Sequence, residues 1–411
     1  MNLYLFNDND SAATFGIGTY LNELTNALKD SAIHVHIVHL HATRPEFNIE
    51  KADQIEHWYI PEVRNENTFS GSIQKIEAYF RNVIYLLRLN IKDKKNLVFH
   101  FNYNLCFALA KGLKEVYDCK TVTTVHFMKW AFELQGNLQT LHVLKSKPES
   151  QMNPFEQILL TTDEYEYLFY KEVDHVISLS QYNKNLLCIE YQLDPNKISV
   201  IPNGLNDAAS IRVNAGEDLR KKWCISEKES LILFAGRLHS IKGLIFLIRV
   251  FRKILEIIPD CRLIIAGSGH YDTYFQEIKG IYTKVTFTGL LEKKELYELY
   301  RITDVGVVPS LFEPFGYVAV EMMMHGLPVV ATETSGLNEV IDESCGLKVP
   351  IIQYPDKVEI DMGLLAEKIV YLLQYPVEAK KVGQNGRKRY LKEFSSKVFR
   401  KNMLNFYHSI L

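Results

Sequence analysis

Two glutamates in the segment SLFEPFGYVAVEMMMHGLPVVA have seven residues between them and very different surroundings. Pro314 disfavours helical backbone at the residue before it, which places Glu313 in a loop. Residues 317–325 have a helical pattern that Gly326 ends, so Glu321 lies inside a helix. Eight steps along one helix would separate the carboxylates by about 12 Å, farther than the paired acids of glycoside hydrolases. The spacing therefore disfavours a hydrolase.

The start of this helix offers a different chemistry. Phe315, Gly316 and Tyr317 present backbone N–H groups at a helix N-terminus, which suits a diphosphate oxygen. One carboxylate on either side of that anion could then accept hydroxyl groups. A capped, buried helix whose Glu321 pairs with a core residue explains the same spacing, so that alternative stays open.

Two cations occupy a strand-to-helix turn in the segment LFAGRLHSIKGL. Arg237 follows a predicted strand, and Lys242 comes just before Gly243 and a helix. A forked guanidinium and a compact ammonium can together neutralise a diphosphate leaving group, at about 1.5 to 3 kcal/mol for each charge-assisted hydrogen bond. Two solvated cations in a turn are the commoner explanation of such a pair taken alone.

Single residues after other predicted strands give weaker signals. Gly16 and Gly18 open a helix in FGIGTYLNEL, but Leu21 stands where a dinucleotide fingerprint needs a third glycine. A tight turn without a ligand fits equally well. His126 ends the strand in TTVHFMKW, although an isolated histidine among aromatic residues is more often structural. Gly267, in GSG, could allow a nucleobase to approach the backbone, or could simply form a turn.

The composition limits the kinds of protein to consider. A chain of 411 residues with 47% hydrophobic content is longer than a single hydrophobic core usually accommodates, so we expect two domains. The formal net charge of −2 argues against a nucleic-acid partner, because backbone phosphates require clustered Lys and Arg. Scattered cysteines predict neither disulfides nor a zinc site, and Asp8 with Asp10 is a poor metal motif. We expect no metal, no cofactor, no membrane span and a reducing cytoplasm.

Short apolar runs alternate with helix-length amphipathic segments along the chain. This rhythm is typical of parallel sheets with helical crossovers, and it restarts after KISVIPNG, near residues 204–210. We therefore predict an α/β fold of two Rossmann-like, doubly wound parallel-sheet domains. Ligands of such sheets bind beyond the carboxyl ends of the strands, so we expect the site in a cleft that the two domains face.

One amphipathic segment could contact a membrane. Residues 73–95 carry basic side chains, such as Arg81 and Arg88, against an apolar face, and this combination suits anionic lipid. Acidic residues outnumber basic ones in the first half of the chain, which would weaken such binding. A helix packed on the core is therefore the better explanation, and a weak peripheral membrane contact stays the alternative.

Several motifs occur together in the order typical of one enzyme family. They are VISLSQYNKN, ISVIPNG, FAGRLHSIKG, LIIAGSG, VTFTGLLEKKELYELYRITDVGVVPS, EPFGYVAVE and GLPVVAT. Together they resemble the family 4 glycosyltransferases, the large retaining group of the GT-B fold, most strongly over residues 174–346. The family's two glutamates, separated by seven residues, fall on Glu313 and Glu321 without a gap. Departures such as Met322, where the family often has Ala, concern packing more than donor contacts.

The resemblance implies how a nucleotide-sugar donor would bind. Arg237 and Lys242 would hold its diphosphate, and Glu321 would bind its ribose hydroxyls. Glu313, with the amides of residues 315–317, would face the transferred sugar and its phosphate. The remaining implied positions are Gly16 and Gly18 beside the diphosphate, His126 near the reacting face of the sugar, and Gly267 and Leu290 near the base.

The resemblance also implies an activity and a division of the chain. Residues 1–205 would form the acceptor-side domain, residues 206–390 the donor-binding domain, and residues 391–411 a helix that packs back on the first domain. The enzyme would be a metal-independent, retaining transferase that moves a hexose from a UDP- or GDP-sugar to a glycan, glycolipid or glycoprotein acceptor, in bacterial surface-glycan or glycoconjugate assembly. A nucleotide-sugar epimerase of the same fold and a non-catalytic sugar-nucleotide-binding subunit are the alternatives, and the incomplete glycine fingerprint disfavours a dehydrogenase.

Overall fold

A computed structural model describes residues 1–8, 16–53, 55–62, 73–209 and 216–411. Two compact units make up this part of the chain. Unit 1 comprises Met1–Trp130, Leu144–Gly204 and Phe399–Leu411, and unit 2 comprises Ala131–Val143 and Leu205–Val398. Residues 131–143 thus belong to unit 2, although the chain on either side of them belongs to unit 1.

A largely parallel sheet forms the centre of unit 1. Its described strands are β1 Asn2–Asp8, β2 His34–Ala42, β3 Asn48–Ala52, β4 Ile55–Pro61, β5 Leu97–Phe101, β6 Cys119–Val125, β7 His175–Ser178 and β8 Ile198–Val200. They follow the order β3-β4-β2-β1-β5-β6-β7-β8, and only the edge pair β3–β4 is antiparallel. The interior strand β5, with the sequence LVFHF, is buried along its whole length, as expected for a strand covered on both faces.

Helices connect these strands. They are α1 Gly16–Leu28, α2 Ile73–Asn90, α3 Phe107–Val116, α4 Lys129–Glu133, α5 Leu138–Ser146, α6 Pro154–Glu172 and α7 Gln181–Glu190. The start of α6 follows from its sequence. Asn153 accepts the N–H of Glu156 at 3.0 Å, and the Glu156 carboxylate accepts the N–H of Asn153 at 2.9 Å. This reciprocal cap satisfies two N–H groups that the helix itself leaves without partners.

Unit 2 contains a second sheet, which is parallel throughout. Its strands are β9 Ser230–Ala235, β10 Cys261–Ala266, β11 Val285–Gly289, β12 Val305–Val308, β13 Val329–Thr332 and β14 Gly346–Val349. Their order is β11-β10-β9-β12-β13-β14, and β15 Ile351–Gln353 pairs with β16 Val358–Ile360 in an antiparallel ribbon. The described helices are α8 Gly216–Lys222, α9 Leu244–Ile257, α10 Asp272–Glu277, α11 Lys293–Ile302, α12 Tyr317–Met324, α13 Leu337–Val340, α14 Met362–Gln374 and α15 Pro376–Arg389.

The last helix is α16 Ser396–Ser409, and from Phe399 onward it belongs to unit 1. The Arg400 guanidinium donates to the carbonyl groups of Ala27 and Lys29, at the end of α1. The Tyr407 hydroxyl is 2.7 Å from Nδ1 of His100, whose pKa burial lowers to about 3. The predicted two-sheet α/β fold and the return of the C-terminal helix to the first domain are confirmed. Within the described ranges, no helix is both long and apolar enough to span a lipid bilayer.

Candidate functional site

In unit 2, the loops that leave β9, β10 and β11 are bonded to one another. The N–H of Leu238 donates to the Ser268 carbonyl at 2.8 Å, and the N–H of Gly267 donates to the Gly289 carbonyl at 2.8 Å. These bonds hold the three loops side by side at the carboxyl edge of the sheet, where ligands of parallel sheets bind. The predicted site residues on these loops are Arg237, Gly267 and Leu290.

Gly267 is required by a close approach of two backbone segments. Its φ is 154°, and a Cβ atom there would lie 1.8 Å from the carbonyl oxygen of Gly236. Any other residue would separate the first two loops. Leu290, which follows the end of β11, is 58% exposed. An exposed apolar side chain at this edge is available to a planar ligand such as a base.

Arg237 contacts an aromatic ring instead of an acid. Its Cζ lies 5.4 Å from the centroid of the Phe132 ring, and that ring also packs against His239, with centroids 4.7 Å apart. The Arg237 side chain forms no hydrogen bond or ion pair with another described residue. Its N–H donors are therefore available to an anion. Nothing in the sequence pattern indicates Phe132, which is 105 positions away in the chain.

Lys242 and Glu313 form an ion pair. The distance from Lys242 Nζ to Glu313 Oε2 is 2.5 Å, and the side chains are only 22% and 16% exposed, so solvent screens their attraction weakly. Backbone packing supports the pair, because a Cβ on Gly243 would lie 1.8 Å from the carbonyl oxygen of Pro309. The structure thus brings together two residues that the sequence places in separate motifs.

The loop that carries Glu313 is clamped by Ser335. The Glu313 N–H donates to Ser335 Oγ at 2.8 Å, and the Ser335 hydroxyl donates back to the Glu313 carbonyl at 2.7 Å. The N–H of Leu337 donates to the same carbonyl at 3.2 Å. Sequence reasoning missed Ser335, since serine in a loop gives no signal of the segment it will clamp.

Helix α12 begins at Tyr317, as predicted, with Gly316 as its N-cap. The N–H groups of Phe315 and Gly316 donate to no other group in the described part of the chain. They remain able to bind an anion at the helix N-terminus, where the partial positive charge of the helix is greatest. Residues 315–317, which the sequence predicts to bind an anion, directly follow the Glu313 loop.

Glu321 is only 1% exposed and already has two protein partners. The Tyr300 hydroxyl donates to its Oε2 at 3.0 Å, and the Lys293 ammonium donates to its Oε1. The alternative of a buried, paired glutamate is thus part of the structure. Because a carboxylate has about four acceptor positions, these two partners leave part of its acceptor capacity unused. Both partners lie on α11, and the sequence alone did not reveal them.

In unit 1, His126 follows β6 and is held as a neutral imidazole. The amide of Asn102 donates to the Phe6 carbonyl at 3.3 Å, which turns its Oδ1 towards His126 Nε2 at 3.0 Å. Burial lowers the pKa of His126 to about 3. Nε2 therefore carries the proton at pH 7, and Nδ1 is left as an acceptor. This histidine is suited to bind a hydroxyl group rather than to supply a positive charge.

Gly16 and Gly18 lie in the first turn of α1, as predicted. The same helix carries Tyr20, whose ring meets His126 edge-on with centroids 4.6 Å apart. The helix that begins with these glycines therefore contacts His126 through Tyr20. Asn9 and Asp10, in the possible metal motif, lie outside the described residues. Among the described residues, no cluster of three or more His, Cys, Asp or Glu side chains could hold a metal ion.

Two family profiles together account for most of the chain. Glycosyltransferase Family 4 matches residues 15–209, and Glycosyl transferases group 1 matches residues 216–389. The chain belongs to the family 4 glycosyltransferases. The predicted family and enzyme class are thereby confirmed, and this glycosyltransferase has the predicted GT-B fold.

Individual relatives agree with this assignment. An uncharacterised glycosyltransferase of Methanocaldococcus jannaschii is 38% identical over 182 residues, which are 43% of this glycosyltransferase and 46% of the relative. Sucrose-phosphate synthase from Thermosynechococcus elongatus has a TM-score of 0.77 at 23% identity, over 100% and 98% of the two chains. Anabaena HepE, solved in complex with UDP-glucose, has a TM-score of 0.70 at 15% identity, over 100% of both chains. The two structural likenesses show the fold alone.

The neutral state of His126 can be tested by titration. We expect the Cε1–H NMR signal of His126 to stay at its neutral position from about pH 8 down to about pH 5, because burial disfavours the imidazolium. Asn102→Asp places a carboxylate next to Nε2 and should raise the pKa of His126, so that the signal moves within this range. The spectrum of His126→Gln assigns the signal. A wild-type signal that titrates near pH 6.5, the usual value for histidine, would contradict the buried, neutral state.

Proposed function

We propose that this glycosyltransferase moves a sugar from a UDP- or GDP-sugar to a carbohydrate-containing acceptor, with retention of the anomeric configuration. The observation that carries the proposal is the partly buried pair of Lys242 and Glu313, next to the N-terminus of α12. A cation, a carboxylate and unpaired N–H groups at one sheet edge suit a diphosphate and the sugar attached to it. The complex of Anabaena HepE with UDP-glucose supports a uridine nucleotide as the first donor to test.

Charge stabilisation would come from unit 2. As the glycosidic bond breaks, negative charge grows on the departing diphosphate, and Arg237, Lys242 and the amides of residues 315–317 would stabilise it. Preorganised donors of this kind are often the largest contribution to catalysis. Since side chains supply both positive charges, the reaction that we propose needs no metal ion. An oxygen of the departing phosphate would accept the proton of the acceptor hydroxyl on the same face, which accounts for retention.

The remaining contacts would orient the donor. Glu321, held by Tyr300 and Lys293, would bind the ribose, and Glu313 would face the transferred sugar. We propose that His126 Nδ1 accepts a hydrogen bond from a sugar hydroxyl. Gly16 and Gly18 would leave space for the diphosphate at the start of α1, and Gly267 and Leu290 would lie near the base.

The activity can be tested with a panel of UDP- and GDP-sugars. Nucleotide release would be measured with and without glycan, glycolipid and glycoprotein acceptors, and the anomeric configuration of the product by NMR. We expect release from one donor class, increased by an acceptor, with the donor's configuration retained. Conversion of the donor without an acceptor would instead support the epimerase alternative. Binding without any turnover would support a non-catalytic subunit, and no response to any donor would contradict the proposal.

Lys242→Ala should lower kcat by at least about tenfold, because it removes a charge that stabilises the leaving diphosphate. The matched control is Lys253→Ala, which removes an exposed lysine of α9 in the same unit. We expect the control to keep wild-type kcat. Circular dichroism would verify the fold of both variants. Equal kcat values for Lys242→Ala and the wild-type protein would remove Lys242 from the proposed mechanism.

We also propose that the reaction takes place in the cytoplasm, with α2 in weak contact with the inner face of the membrane during bacterial surface-glycan or glycoconjugate assembly. The outward side of α2 supports this location. Its exposed residues include Lys75, Arg81, Tyr85, Arg88 and Leu89, whereas its opposite side is buried in unit 1. Basic side chains next to exposed apolar ones suit an anionic lipid surface.

Sedimentation with vesicles tests this contact. We expect binding at low salt to vesicles that contain anionic phospholipid, and weaker binding to zwitterionic vesicles. Arg81→Glu with Arg88→Glu should reduce binding at least about tenfold, since each basic residue near such a surface contributes about 1 kcal/mol. The control reverses two exposed charges of unit 2, Lys380→Glu with Lys381→Glu. Equal binding by both double variants, or no binding by the wild-type protein, would rule out a contact through α2.

A further inference from the structure

Residues 131–143 reach two of the loops proposed to bind the donor. At one end of this segment, the Phe132 ring contacts Arg237 and His239. Further along, Gly136 packs on Phe312, the residue before Glu313, and a Cβ on Gly136 would lie 2.5 Å from the Phe312 ring. None of the motifs that identify the family lies in this segment, which we call the 131–143 arm.

Hydrogen bonds fix the 131–143 arm on unit 2. The Asn137 amide donates to the Tyr354 carbonyl at 2.7 Å, and the Thr140 hydroxyl donates to the Pro355 carbonyl at 2.8 Å. Both carbonyl groups belong to the turn between β15 and β16. Asn137 is only 2% exposed, so the hydrogen bond that its side-chain amide donates is shielded from water. The segment that carries Phe132 is therefore anchored on unit 2 further along, at Asn137 and Thr140.

The two cations of the proposed diphosphate site are held in different ways. Glu313 pairs with Lys242 and compensates its charge. Arg237 has no acidic partner among the described residues, and its guanidinium lies over the face of the Phe132 ring. A guanidinium that lies over an aromatic face keeps its N–H donors, which point outward in its own plane. A carboxylate in place of the ring would have occupied those donors and cancelled the charge.

We propose that Phe132 is a positioning residue that orients the Arg237 guanidinium towards the diphosphate of the donor. This inference rests on the proposed function. Phe132 acts through Arg237 and contacts no reacting atom itself. The ring restricts a long, flexible side chain to one plane, so that the guanidinium is in place before the charge develops on the leaving group. The arm thereby contributes to a site whose charged residues all lie elsewhere in the chain.

A double-mutant cycle tests this role. Phe132→Leu removes the ring but keeps an apolar side chain, and we expect it to lower kcat for the best donor about fivefold to tenfold. In the Arg237→Ala background the same change should alter kcat less than about twofold, because the residue it orients is gone. Phe132→Tyr keeps the ring face and should restore kcat to within about twofold of wild type. Tyr375→Leu, which removes an aromatic residue that is 54% exposed elsewhere in unit 2, is the matched control and should have no effect.

Each other result of the cycle is also decisive. An equal loss in both backgrounds would show that Phe132 acts on the structure in general, and an unchanged kcat in Phe132→Leu would show that the ring is dispensable. Either result overturns the inference while the transferase activity of the wild-type protein stands. If instead the wild-type protein turns over no donor, the proposed function itself fails. If Phe132→Leu unfolds at a lower temperature than the wild-type protein does, Phe132→Met provides the same comparison with a longer, more adaptable side chain.

Discussion

The ion pair between Lys242 and Glu313 is the interaction on which the proposed donor site of this glycosyltransferase depends. It joins the turn after β9 to the loop after β12, and the contact of Gly243 with Pro309 presses the same two segments together. Leaving either charge without its partner in so shielded a place would cost about 1 to 3 kcal/mol. The pair therefore keeps a cation close to the N-terminus of α12. The Ser335 clamp holds the loop that carries Glu313, and the first amides of α12 directly follow that loop.

The two units use different kinds of polar groups. In unit 2 the proposed site contains charged side chains, which suit a diphosphate. In unit 1 burial lowers the pKa of His126 to about 3 and raises the pKa of Glu166 to about 8, so it favours the neutral form of both side chains. Glu166 Oε1 accepts hydrogen bonds from the Asn104 amide at 3.0 Å and from the Lys129 N–H at 3.2 Å, and so holds the loop after His126. Neutral donors and acceptors suit the hydroxyl groups of a sugar.

Much of the fold and part of the site could be predicted because their signals are local. Pro314 kept Glu313 out of the helix, Gly326 ended it, and the alternation of apolar runs with helical segments indicated two parallel-sheet domains. The partners of the site residues could not be predicted in this way. Tyr300 is 21 positions from Glu321, and Phe132 is 105 positions from Arg237. No periodicity connects such positions, since only the packing of segments from far apart in the chain makes them neighbours.

The sequence by itself determined the alternation of strands and helices in two domains, where the loops that carry Arg237, Lys242 and Glu313 begin, and which family the chain belongs to. Only the tertiary structure decided that Lys242 pairs with Glu313 while Arg237 lies over an aromatic ring. It also decided that His126 is neutral. The physical reason is the same in each case: backbone conformation depends on neighbouring residues, whereas the charge state and partner of a side chain depend on burial and on segments that folding brings from far along the chain.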